Sequence, residues 1–169
     1  MSTKYIFIIT IFISIIFFSC STTTTTTRTS TNTTSLTIPT GWNILDKKLI
    51  PSYFTHFLIK EDYSSALTLQ SLYNVADDSL MIIGNVSLRS KLAEEPSRRA
   101  TKVPTVWKKG SLVFSTYTYI EQGLLRRVMV FRKENTYYEL ELLQLKDTEP
   151  FENLIEIQTT FAQQFCMSV

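Results

Sequence analysis

The chain has 169 residues, 44% hydrophobic and 19% charged, with a formal charge of +2. That composition is globular and the length favours one domain. So small a net charge argues against a nucleic-acid partner, two cysteines rule out a disulfide scaffold, and one histidine, His56, leaves no zinc site of the usual His/Cys kind.

Lys4 gives a small positive start, and Tyr5 to Phe18 is an uncharged run of 14 residues. As a helix it spans about 21 Å, short of a bilayer core of about 30 Å but within the range of a signal-peptide apolar region. It ends Ile16-Phe17-Phe18-Ser19-Cys20. The stretch resembles the lipobox of bacterial lipoproteins, in which a small residue precedes an obligatory cysteine, although Phe18 is bulkier than that pattern usually carries. The resemblance implies that residues 1–19 are cut away as a signal peptide. Cys20 then becomes the acylated N-terminus, held in the membrane by its lipid. Two or more acyl chains, at about 0.8 kcal/mol per buried methylene, suffice for stable anchoring. Ser21 rather than Asp follows the cysteine, which resembles outer-membrane sorting in diderm lipoproteins. The alternative is a plain signal peptide with an incidental cysteine.

Ser21 to Thr37 holds 11 Thr and 3 Ser in 17 residues, with Leu36 as its one large apolar side chain. Such a segment cannot bury enough apolar surface to offset its ordering entropy. Residues 20–37 therefore read as a tether, with O-glycosylation of the hydroxyls as the alternative to an unmodified spacer.

Residues 38–169 form the globular part. LTIPTGWNIL reads as a strand broken by Pro39 and Gly41, hence an edge. An apolar run from Phe54 turns through Glu61-Asp62, and a strand resumes from Ser65 to Tyr73. Asp77-Asp78-Ser79 offers an N-cap for a helix over LMIIGNVSLRSKL, with Leu80, Ile83 and Ser87 in one row and Val86 beside it. Glu94 to Val106, with Pro96 and Pro104, reads as a loop. A three-strand meander follows over 112–120, 124–132 and 136–145. The closing helix starts near Pro150, with Phe151, Leu154, Ile155, Gln158, Phe161, Ala162 and Phe165 along one stripe that docks on the sheet.

The expected order is thus β-β-α-β-β-β-α, an α+β fold with a central antiparallel sheet. The succession IPTGW, FLIKEDYSSALTLQSLY, DDSLMIIGNVSLRSKL, a meander ending in TYYELELLQL, and an aromatic-rich last helix resembles the PsbP-like superfamily, DcrB-like lipoproteins included. That resemblance spans nearly all of residues 38–169. It implies an α/β/α sandwich with helices packed on the sheet, and no catalytic motif comes with it.

The catalytic inventory is thin. No G-x-S-x-G, P-loop or H-E-x-x-H occurs, and no cofactor or metal is expected. His56 reads as structural or solvated. Glu139 and Glu141 share a strand face that reads as its wet side; with Asp147 they are the candidates of an alternative, an acidic-residue metal-dependent envelope enzyme. Arg89 to Lys109 holds seven basic residues against Glu94 and Glu95. There Arg98, Arg99, Trp107, Lys108 and Lys109 are the candidate contacts for a protein or anionic envelope partner, against a solvated loop and a core Trp107. Cys166 reads as an inert thiol. The function expected is a non-enzymatic binding or assembly module of the bacterial envelope, with a carrier of a small apolar ligand as a further alternative.

Overall fold

The computed structural model describes residues 36–72 and 77–168. The segment expected as a signal peptide, Cys20 and all but the end of the threonine tract lie outside these residues. Strands β1 (Trp42–Ile44), β2 (Phe54–Lys60) and β3 (Ser65–Leu72) come first, with one 3-10 turn at Lys47–Leu49. Helix α1 (Leu80–Glu94) follows. Then come β4 (Arg99–Lys109), β5 (Leu112–Glu121), β6 (Leu124–Lys133), β7 (Thr136–Gln144) and helix α2 (Phe151–Met167). All seven strands join one antiparallel sheet in the order β1-β2-β3-β7-β6-β5-β4. Helix α1 crosses one face of the sheet to its far edge, and the β4–β7 meander then folds back until β7 pairs with β3.

This is the expected α+β class, with two additions to the expected order. The apolar run from Phe54 is a full strand. The segment expected as a loop from Glu94 to Val106 becomes strand at Arg99. Pro104 does not prevent this, because β4 is an edge strand and its register with β5 slips between Ala100 and Lys102 and again between Lys102 and Thr105.

The two sheet faces carry separate cores. On one, Leu154, Phe161, Ala162 and Phe165 of α2 meet Leu58, Leu67, Leu69, Phe114, Met129, Phe131, Leu140 and Leu142. Leu36 and Ile38 also rest on this cluster, so packing begins within the segment expected to be tether. His56 stands edge-on to two rings, its centroid 5.7 Å from that of Phe165 and 6.2 Å from that of Phe161, a structural placement. On the other face, Ile83 and Leu88 of α1 meet Tyr117, Tyr119, Val128, Val130 and Tyr137. Ser79 caps α1 as expected, accepting from the Ile82 N–H. Ile83, Gly84, Ser87 and Leu88 point at the sheet, but Val86, expected beside them, is 55% exposed. Two residues from both Gly84 and Leu88, it lies about 200° round the helix.

Candidate functional site

The α1 face holds a buried set of charged and hydroxyl groups. Period-two alternation places Glu139 and Glu141 of β7, Tyr117, Tyr119 and Glu121 of β5 and Arg126 of β6 on one side of the sheet. Ser87 and Lys91, one turn apart on α1, come down onto them. Glu139 and Glu141 are 2% and 8% exposed, so the face expected to be wet is closed. Helix α1 covers it, which one strand's alternation could not announce.

Three carboxylates meet three cations there. Lys91 Nζ lies 2.8 Å from Glu139 Oε1 and 3.0 Å from Glu141 Oε2. Arg126 bridges Glu141 at 2.8 Å and Glu121 at 2.6 Å, and Arg98 Nε bonds Glu121 at 2.8 Å. Glu139 also accepts from Ser87 Oγ and from Gln70 Nε2, while Tyr119 donates to Glu141 Oε1 at 2.7 Å. Since the Ser87 proton goes to Glu139, Tyr117 donates the 2.7 Å bond between the two hydroxyls.

Burial pushes the Glu141 carboxyl up, but Lys91 and Arg126 outweigh it and hold the group at about 2. Burial opposes charge on Lys91 as well, yet Glu141 and Glu139 raise it and keep it protonated. Burial and the nearby carboxylates raise both Tyr117 and Tyr119, so both phenols stay neutral. A cleft of about 310 Å³ opens on Glu139, Ser87, Lys91 and Gln70, walled by Leu72 and Ile83. Ser87 thus faces a carboxylate already matched by an ammonium and a second hydroxyl, an arrangement that fixes α1 on the sheet. No group of three or more His, Cys, Asp or Glu side chains placed to hold a metal occurs among the described residues. Asp147 is exposed in the loop after β7, away from this set.

The sequence-derived partner residues divide. Arg98 is consumed inside the fold: it bonds Glu94, Glu121 and the Lys91 carbonyl, and its guanidinium stands 5.6 Å from the Tyr119 ring centroid. Trp107 stacks on Phe114 at 4.8 Å, donates to Thr116 Oγ1, and closes the rim of the α2-side core. Arg99, Lys108 and Lys109 are exposed on the edge strand β4 with Lys102 between them, and no carboxylate in that strand answers them. Cys166 is half-buried, and burial raises its thiol, as expected of an inert group. Sequence reading missed Lys91, Tyr117, Tyr119 and Arg126. The available signal was that two strands, β5 with Tyr117, Tyr119 and Glu121 and β7 with Glu139 and Glu141, carry polar residues at period two.

The seven-stranded antiparallel sheet with one helix on each face is a PsbP-like α+β fold. The chain is similar to the solution structure of cyanobacterial PsbP (CyanoP) from Synechocystis sp. PCC 6803, with a TM-score of 0.53 and 13% identity over 75% of this chain and 82% of that one. It matches the crystal structure of LpqN, involved in cell envelope biogenesis of Mycobacterium tuberculosis, at a TM-score of 0.38 and 13% identity, over 76% of this chain and 79% of that one. No protein-family model and no curated protein matches the chain.

Proposed function

We propose that this is a lipid-anchored protein of the bacterial envelope whose PsbP-like domain binds or assembles with an acidic partner rather than catalysing a reaction. The observation that carries the reading is a contrast between two sets of charges. The interior carboxylates and cations neutralise one another, whereas Arg99, Lys102, Lys108 and Lys109 of the edge strand meet no partner among the described residues. Unanswered charge of one sign on an edge steers an acidic partner. The Phe18-Ser19-Cys20 seam supports the anchor, and Ser21 supports the outer membrane as its address.

Two experiments test this. Cys20→Ala is expected to move the protein into the soluble envelope fraction and abolish acyl labelling; a variant that stays membrane-bound refutes the lipid anchor. Lysine cross-linking in the native envelope is expected to give a discrete adduct through Lys102, Lys108 and Lys109. The triple Gln variant is expected to lose it with stability within about 0.5 kcal/mol of the parent. Turnover that disappears on Glu139→Gln or Glu141→Gln in a folded protein would instead favour the acidic-residue enzyme.

The carrier reading has one observation of its own. A groove of about 710 Å³ lies between the start of α1 and the sheet, with Leu80, Met81, Val106 and Val113 in its walls. This is within the size range of small-ligand pockets. Mass spectra of the purified protein are expected to show a co-extracted apolar molecule if the groove carries one, and none if it serves only the partner.

A further inference from the structure

Arg127 of β6 is 8% exposed, on the face that α2 shares. Its Nη1 donates to Gln158 Oε1 of α2. Gln158 Nε2 donates to the carbonyls of Arg127 and Leu140, so the amide is committed to holding that geometry. None of the ion pairs among the described residues includes Arg127. Burial alone acts on the guanidinium and lowers it to about 10, with no carboxylate pulling the other way. The opposite face treats its charges differently, giving every buried cation a carboxylate. A buried charge with only neutral partners is costly. A guanidinium has five donors, and the bond to Gln158 uses one. The remaining nitrogens are not among the sealed, unpartnered atoms, so they reach solvent.

They lie toward the β4–β5 margin of the sheet, beyond the strip that α2 covers along β7. Thr101, Thr105 and Ile120 are exposed at that margin, while Thr118, one strand in, is 8% exposed. Thr118 is the cross-strand neighbour of Arg127, and its Oγ1 lies 2.6 Å from Thr101 Oγ1. Two hydroxyls bring two protons and their shared bond uses one, so one donor is left over. Two residues further along, Ile120 and Leu125 stand on the same face with Arg99, which has no partner among the described residues.

We propose that Arg127, with the Thr118–Thr101 hydroxyl pair, forms a binding site for a phosphate group at the β4–β5 margin of the sheet face that carries α2, with Arg99 adding charge beside it. The planar fork of Arg127 presents parallel N–H groups to two phosphate oxygens, and the spare threonine proton serves a third. Ile120 and Leu125 offer apolar surface beside it, so the phosphate fits either as a free ion or as the headgroup of a lipid. The site shares Arg99 with the basic edge but not the anchor, and its decisive groups, Arg127 and Thr118, lie outside the Lys102, Lys108 and Lys109 set that the cross-linking tests, so the two readings fail separately.

The test uses the full mature chain with Cys20→Ser, titrated with inorganic phosphate and with a short-chain phosphatidylglycerol below its micelle concentration. The readout is the Arg127 Nε–Hε resonance together with thermal unfolding. Saturable movement of that resonance and a rise in melting temperature are expected. Arg127→Met and Thr118→Val are each expected to weaken binding at least tenfold. Response to both ligands means the phosphate group alone suffices; response to the lipid alone means the apolar tail is needed against Ile120 and Leu125. Either supports the site. Arg127→Met removes the donor to the buried Gln158 Oε1 along with the unmatched charge, so Thr118→Val, which leaves Gln158 untouched, decides the test should Arg127→Met fold poorly. Failure of both ligands to move the resonance overturns the proposal, as does unchanged affinity in Thr118→Val.

Discussion

At Glu141 burial and charge oppose each other, and charge wins. The carboxylate accepts from Tyr119 and Arg126 and pairs with Lys91, so removing its charge leaves two buried cations each with one carboxylate instead of two, Lys91 with Glu139 and Arg126 with Glu121. Glu141→Gln keeps the shape and removes the charge. The expected loss is about 3 kcal/mol or more in urea unfolding, the range for breaking one partner out of a buried set. Glu94 provides the contrast. It also pairs with an arginine, Arg98, but its side chain is 56% exposed. Glu94→Gln is expected to cost below about 0.5 kcal/mol, because water screens the pair and Arg98 keeps Glu121. Equal losses in the two variants would mean that the buried set contributes no more than a surface pair.

At the scale of elements, the approach of α1 to the sheet turns on Gly84. Helix propensity favours Ala over Gly by about 1 kcal/mol, so a free helix would gain from Gly84→Ala. Here an added Cβ would stand inside the contact distance of Ser115 Oγ and 3.2 Å from Pro104 Cβ. Helix α1 would have to lift from β4 and β5, and Ile83, Ser87 and Leu88 would lift with it. Gly84→Ala is therefore expected to destabilise by about 1–3 kcal/mol, in the range for overpacking, measured as a lower urea midpoint at unchanged slope. A gain in stability would show that the contact yields. This glycine also marks what was legible in advance. Its place in α1 was plain from periodicity, and so were the cap at Ser79 and the stripe from Leu154 to Phe165. Its reason was not, because one of the two strands it meets was hidden by Pro104: an edge strand with slipped register tolerates a residue that reads as a loop signal. The sites were hidden more deeply. Glu139 and Glu141 stood out as a pair, but their burial depends on Lys91, some fifty residues earlier. Arg127 has its meaning only through Gln158, a polar residue on an otherwise apolar helix stripe.

For the whole molecule, the two faces of the sheet predict acid sensitivity in two stages. His56 lies against the α2 aromatic cluster with Nδ1 buried and unpartnered. Burial lowers its pKa from 6.5, and Lys47 and Lys133 lower it further. The unfolded chain therefore takes up the proton first. His56 contributes stability above about pH 6.5 that is lost as pH falls below that value. Glu141 acts later and from the other face. Its folded pKa of about 2 lies below the ordinary 4.5, so its contribution is full above about pH 4.5 and fades between there and pH 2. Urea midpoints measured from pH 8 to pH 2.5 are expected to fall in these two windows. His56→Phe keeps an aromatic ring against Phe161 and Phe165 without a titrating nitrogen, and is expected to flatten the first stage while leaving the second. Because His56 is the sole histidine of the chain, no other imidazole contributes to that difference. Glu141→Gln is expected to do the reverse. If both variants keep the parent's profile, acid acts through groups outside these two interfaces, and the faces do not titrate as separate units.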